Sequence, residues 1–123
     1  MIRRRGFTIV ELMVAVAIIG ILASVVAFSF ETWRSSTAKT EVKNNLTTAA
    51  AKLKDYQNWN SAYPADQATF DAAYQVSGEV TMTYTRRLDG ASYCLNASSK
   101  AVNTVIFKID SSVSATPAAG TCT

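Results

Sequence analysis

The sequence predicts an α+β fold: a long N-terminal α-helix packed against a small three-stranded antiparallel β-sheet. Three observations point there. Residues 12–30 carry no charge at all. Residues 31–58 contain neither proline nor glycine and space their apolar side chains as a helix does. After Pro64 the pattern changes to short alternating segments separated by turn residues.

The uncharged run, Leu12 to Phe30, lies between Glu11 and Glu31. As a helix it rises ~28 Å, close to the ~30 Å hydrocarbon core of a bilayer. Within it Ala15, Ala17, Gly20 and Ala23 offer low relief for close helix approach. Past Phe30, Val42, Leu46, Ala49, Leu53 and Tyr56 fall on one stripe of an amphipathic helix. Lys39, Glu41, Lys43, Lys52 and Asp55 lie mainly off it. Pro64 and the polar "NWNSAYPAD" around it end the helix near Asn58. Residues 61–78 read as a loop with a short helix at "DQATFDAAYQV".

In the head, "EVTMTYTRR" alternates Val80, Met82 and Tyr84 with threonines. "ASYCLNA" and "NTVIFKI" are also rich in strand formers. Asp89-Gly90 is a strong hairpin signal between the first two, and "SSKA" turns the chain into the third. The tail "SSVSATPAAGTCT" holds too little apolar area to order itself. Trp33, Trp59, Tyr63 and Tyr93 are expected mostly to pack between helix and head.

Charge narrows the function classes. The 12 basic side chains exceed the 9 acidic ones by 3, and Arg3, Arg4 and Arg5 supply that whole excess. The neutral remainder argues against general electrostatic binding of nucleic acid. Arg86 and Arg87, with Lys100 and Lys108, read as solvated strand ends rather than a DNA site. The arginines before an apolar segment instead mark the cytoplasmic side, so everything after Phe30 is expected outside. There the two cysteines, Cys94 and Cys122, are most simply a disulfide. Two buried free thiols are the alternative. Closing that loop is worth ~3.5 kcal/mol in the chain-entropy account.

With no histidine there is no ordinary Ser-His or Cys-His nucleophile pair, and no enzyme is expected. Two thiols without imidazole fall short of a zinc site, and no calcium-loop motif is present. No metal or cofactor is implied. Asn45-Leu46-Thr47 and Asn96-Ala97-Ser98 match the N-glycosylation pattern, from which no modification is expected.

Glu11 is the residue that discriminates among readings of the N-terminus. A cleaved secretory signal has a shorter apolar region and no such charge at its leading edge. A plain signal anchor accounts for the length and leaves Glu11 to snorkel. The stretch "RRRGFTIVELMVAVAIIGILA" closely resembles the N-terminus of type IV pilins and their pseudopilin relatives. That resemblance implies that residues 1–6 form a leader, cut between Gly6 and Phe7 by a prepilin peptidase. It implies N-methylation of Phe7, and a role for Glu11 in setting assembly register against the terminal amine of a neighbouring subunit. An unpaired buried charge in a misregistered neighbour is costly. Family members often melt between this glycine and a later proline; here that position is Phe28, which argues for a more continuous helix. A C-terminal disulfide-closed segment is also similar to many pilins.

The resemblance implies residues 7–30 as a transmembrane and filament-core half-helix, 31–59 as the amphipathic half, and 60–123 as the globular head. The expected function is a structural subunit of a type IV pilus. It would be held in the cytoplasmic membrane by a single pass with its head outside, and later join an extracellular filament. Its partners would be other pilin subunits, the prepilin peptidase and the pilus assembly machinery. A pseudopilin of a type II secretion or competence machine is the runner-up. A signal-anchored binding domain that never polymerises is the alternative from another class.

Overall fold

The computed structural model describes residues 5–123, so Arg3 and Arg4 of the expected leader lie outside the described residues. In chain order the elements are α1 (Ile9–Asn60), α2 (Gln67–Ala73), β1 (Val80–Arg86), β2 (Tyr93–Ser99), β3 (Ile106–Asp110) and β4 (Ser114–Ala119). Two compact units are present, residues 1–34 and 35–123, with the boundary inside α1.

In the first unit, every described residue up to Arg34 is exposed. A lone helix has no second element on which to bury side chains, so Leu12, Ile18, Leu22 and Val26 all face outward. α1 is continuous across Gly20 and Phe28. Trp33 stays exposed, its ring 5.8 Å from that of Phe30. That corrects the expected packing of this tryptophan.

The second unit has a true core. From α1 it takes Ala38, Val42, Leu46, Ala49 and Leu53, the expected stripe, with Tyr56 half-buried. From the sheet it takes Val80, Met82, Tyr84, Leu95, Ala97 and Ile109. The strands form an antiparallel meander in the order β1-β2-β3-β4. Tyr84 pairs with Leu95 and Leu95 with Ile109, so the inward residues line up in one row across the sheet. Phe70 of α2 completes the core, stacked on Tyr84 with ring centroids 5.1 Å apart. Tyr63 meets Tyr93 edge-on at 4.8 Å. Trp59, by contrast, is 89% exposed, a second departure from the expected aromatic packing.

The turns follow local chemistry. Asp66 caps α2 by accepting the Thr69 amide at 2.8 Å. Asp89 accepts the amides of Ala91 and Ser92 at 3.0 Å, and Gly90 takes φ +67, which closes the expected β1–β2 hairpin. Burial lifts the phenols of Tyr84 and Tyr93 to about 12.

The sheet has four strands where the sequence predicts three. Ser114–Ala119 is poor in strand formers and contains Pro117, a residue tolerated at an edge. Two constraints order it: pairing with β3 through Phe107–Ala119 and Lys108–Ala118, and the Cys94–Cys122 disulfide just beyond. The other edge is closed differently. The Gln67 side chain accepts the Tyr84 amide and donates to the Met82 carbonyl at 3.5 Å, which occupies the outer edge of β1.

Two predictions follow from these contacts. Replacing both cysteines by serine lowers unfolding stability by ~2–4 kcal/mol, read as a shifted urea midpoint. Hydrogen bonds from Ser92 hold Asp89 below the usual carboxylate range, as those from Thr69 do for Asp66 and those from Ser112, then Arg87, do for Asp110. Groups depressed on folding stabilise the native state above the unfolded pKa of about 3.9 and lose that contribution as pH falls below it. Thermal midpoints should therefore drop on acidification below about pH 4, less steeply for Asp89→Asn.

Candidate processing and assembly site

The residues expected to carry function lie at the start of α1. Residues 5–8 have no regular structure and α1 begins at Ile9, two residues later than the helix expected from Phe7. Thr8 supplies the reason. Its Oγ1 accepts the Glu11 amide at 3.2 Å, and its carbonyl accepts the Leu12 amide at 3.2 Å. A threonine that satisfies a first-turn amide with its side chain is an N-cap. The spacing Thr8-Ile9-Val10-Glu11 is that of a capping box. The signal was present in the sequence as T-x-x-E, hidden by the attention Glu11 draws as a lone charge.

Capping places each site residue. Gly6 and Phe7 precede the helix on exposed, non-helical backbone, and Glu11 lies in its first turn, also exposed. The helix dipole favours a carboxylate there. Because Phe7 is outside the helix, its spacing of four from Glu11 does not place the two on one helix face.

Neither glycine in this segment is required by the fold. A Cβ added at Gly6 or at Gly20 would meet nothing within 4 Å, and neither residue has a positive φ. A helix-interior glycine costs ~1 kcal/mol relative to alanine, and no contact within the chain explains that cost at Gly20. α1 is long and apolar enough to cross a membrane.

At the far end of the polypeptide, Cys94 and Cys122 are joined with their Cα atoms 6.0 Å apart. The basic side chains considered for DNA do not form a patch. Arg87 pairs with Asp110, and Arg86 donates to the Tyr63 carbonyl at 3.4 Å. Lys100 donates to the Gly78 carbonyl, at the opposite end of the β1–β2 pair. Asn45, in one of the two glycosylation triplets, accepts the Tyr74 hydroxyl at 3.2 Å; Asn96, in the other, sits mid-strand in β2. Among the described residues no three His, Cys, Asp or Glu side chains gather around a common point.

A capped apolar helix, followed by an amphipathic continuation under a disulfide-tethered meander, defines an α+β protein built to present an uncovered hydrophobic stem. Residues 1–27 match the family described as the prokaryotic N-terminal methylation motif. The chain is 30% identical over 76 residues to the fimbrial protein EcpC of Eikenella corrodens, across 62% of this chain and 50% of that protein. It is 38% identical over 61 residues to the type IV major pilin protein PilA of Myxococcus xanthus, across 50% of this chain and 28% of that one. It is 36% identical over 70 residues to the type II secretion system core protein G of Pseudomonas aeruginosa, across 57% and 49%. The chain is thus similar, over these stretches, to type IV pilins and to secretion pseudopilins. It spans about half the length of these relatives, or less.

Removing the cap tests the geometry. Thr8→Ala should cost ~1 kcal/mol in the first helical turn and speed hydrogen exchange of the Glu11 amide roughly fivefold, measured in detergent micelles. Exchange at the Leu46 amide should stay unchanged.

Proposed function

We propose that this chain is the precursor of a type IV pilin, a structural subunit that polymerises through its N-terminal helix. In this reading residues 1–6 are a leader and residues 7–30 the stem that lies first in the membrane and then in the filament core. Residues 31–59 carry the head, which comprises residues 60–123. A prepilin peptidase cuts between Gly6 and Phe7, and Phe7 is then N-methylated.

The observation that carries the reading is the outward-facing apolar helix, with Gly20 within it and Gly6 just before it, neither required by a contact among the described residues. An apolar surface of that extent has to be covered by lipid or by protein. Gly20 suits close approach of a second helix, and Gly6 on open backbone suits recognition by a peptidase. Glu11 selects register: beside a neighbour's terminal ammonium it is compensated, and elsewhere in an apolar bundle it is stranded. The membrane holds the stem in a single pass with the head outside, and the filament lies beyond the cell surface.

A pseudopilin of a type II secretion machine is the second reading, favoured by the likeness to core protein G. The Cys94–Cys122 staple leans toward a pilin. Purified surface filaments distinguish these readings. Mass spectrometry should find a chain that starts at a methylated Phe7 and lacks two hydrogens at the disulfide. Glu11→Ala should leave cleavage intact and cut filament yield ~10-fold or more. Full assembly of that variant would remove the register role. Recovery of monomers alone, with the leader attached, would favour a non-polymerising anchored domain.

A further inference from the structure

We propose that the Cys94–Cys122 disulfide is a reversible latch. A dithiol reductant that opens it frees residues 113–123 and uncovers one side of the sheet, while the core stays folded. A latch of this kind acts in a lone chain and in a filament alike.

β4 is joined to the head without being built into its core. Among the described residues, no side chain after Ile109 belongs to the buried cluster. Every residue of β4 except Pro117 is exposed, and the Ser114 and Thr116 hydroxyls bond each other at 2.7 Å. Its pairing with β3 is interrupted by a register shift between Lys108 and Asp110. A notch of about 80 Å³ opens there, lined by Lys108, Asp110, Val113, Ser114, Thr116 and Ala118. What holds the strand is a short, broken ladder and the covalent bond beyond it.

The tail after β4 covers the sheet without fitting it. Leu95 and Ala97 point into the core, so Cys94 and Asn96 face the other side. On that side Cys94 lies opposite Asp110, Asn96 opposite Lys108 and Ser98 opposite Ile106. The Gly120 amide donates to the Ile106 carbonyl at 3.3 Å, yet Cys122 is bonded to Cys94. The tail therefore crosses the outer side of β3 at the level of Lys108, beside Asn96. Cys94 is only 2% exposed although it faces away from the core. Asn96 Oδ1 is buried with no hydrogen-bond partner among the described residues. A buried carbonyl without a partner is costly, and lifting the tail returns it to water. The bond thus holds closed an arrangement that a polar group beneath it disfavours.

Exchange chemistry has one open approach. Cys122 is part-exposed and Cys94 is not, so an attacking thiolate reaches the Cys122 sulfur. It forms a mixed disulfide there and displaces Cys94 as a thiolate, which takes up a proton. The second thiolate of the reductant then attacks its own sulfur in the mixed disulfide, freeing Cys122 as a thiol and leaving the reductant as a cyclic disulfide. Two electrons and two protons pass from the dithiol to the protein, and an oxidised dithiol reverses the exchange.

The test uses the full chain in detergent micelles, dithiothreitol as the reductant and amide hydrogen exchange read residue by residue. Reduction should speed exchange at the Ala118 and Gly120 amides ~100-fold or more, and at the Leu46 and Leu95 amides less than ~3-fold. Cys94 should then react with iodoacetamide while the near-ultraviolet dichroism of the tyrosine core persists. Oxidised dithiothreitol should restore protection. Cys94→Ser/Cys122→Ser should match the reduced chain with no reductant present. Joint acceleration at Leu46 and Leu95 would make the bond a staple of the whole head and overturn the latch. A Gly120 amide that keeps its protection after reduction overturns it too, since β4 would then need no tether.

Discussion

One helix meets two environments, and the rest of the molecule follows from where the change occurs. Among the described residues, the apolar side chains of α1 from Ile9 to Trp33 stay exposed. From Ala38 to Leu53 the same helix buries one side to near zero exposure against β1, β2 and β3. Burying a Leu or Val side chain is worth ~1.5–3 kcal/mol, so the second half has a reason to stay with its own sheet. The first half has the same demand and nothing in the chain to meet it. Its side chains are suited to lipid tails or to other helices, and its small residues admit close neighbours.

The helix start shows how a single residue can serve two requirements. Thr8 ends the helix on its N-terminal side by satisfying the Glu11 amide. That leaves Gly6 and Phe7 on non-helical backbone and holds Glu11 in the first turn. The carboxylate is thus favoured by its own helix before any partner arrives. Its presence at the edge of an apolar run has a local physical basis in the first turn of the helix.

Much of this was legible in the sequence because it rests on periodicity. Val42, Leu46, Ala49 and Leu53 announce a helix with one buried side, and Val80, Met82 and Tyr84 a strand with one. Asp89-Gly90 announces a hairpin through turn chemistry alone. β4 was not legible, because Ser-Ala-Thr-Pro-Ala-Ala has no strand pattern; its order comes from a distant partner strand and a covalent tether. The tryptophans misled for the opposite reason. Aromatic character raises the expectation of burial, yet Trp33 precedes the head-covered part of the helix and Trp59 lies in its last turn, beyond the half-buried Tyr56 that ends the stripe. The Gly6–Phe7–Glu11 arrangement was legible as a motif, while the Thr8 cap beside it was written only as a short T-x-x-E spacing.

The side-chain amide of Gln67 laid along β1 has a consequence for crowding. An open strand edge is a template on which another chain can add, the first step toward cross-β stacking. Gln67 fills the vacant donor and acceptor positions on one border of the sheet, and Pro117 withholds a donor on the other. Both borders of the sheet are therefore poor templates for another strand, which steers crowded copies away from merging edge to edge.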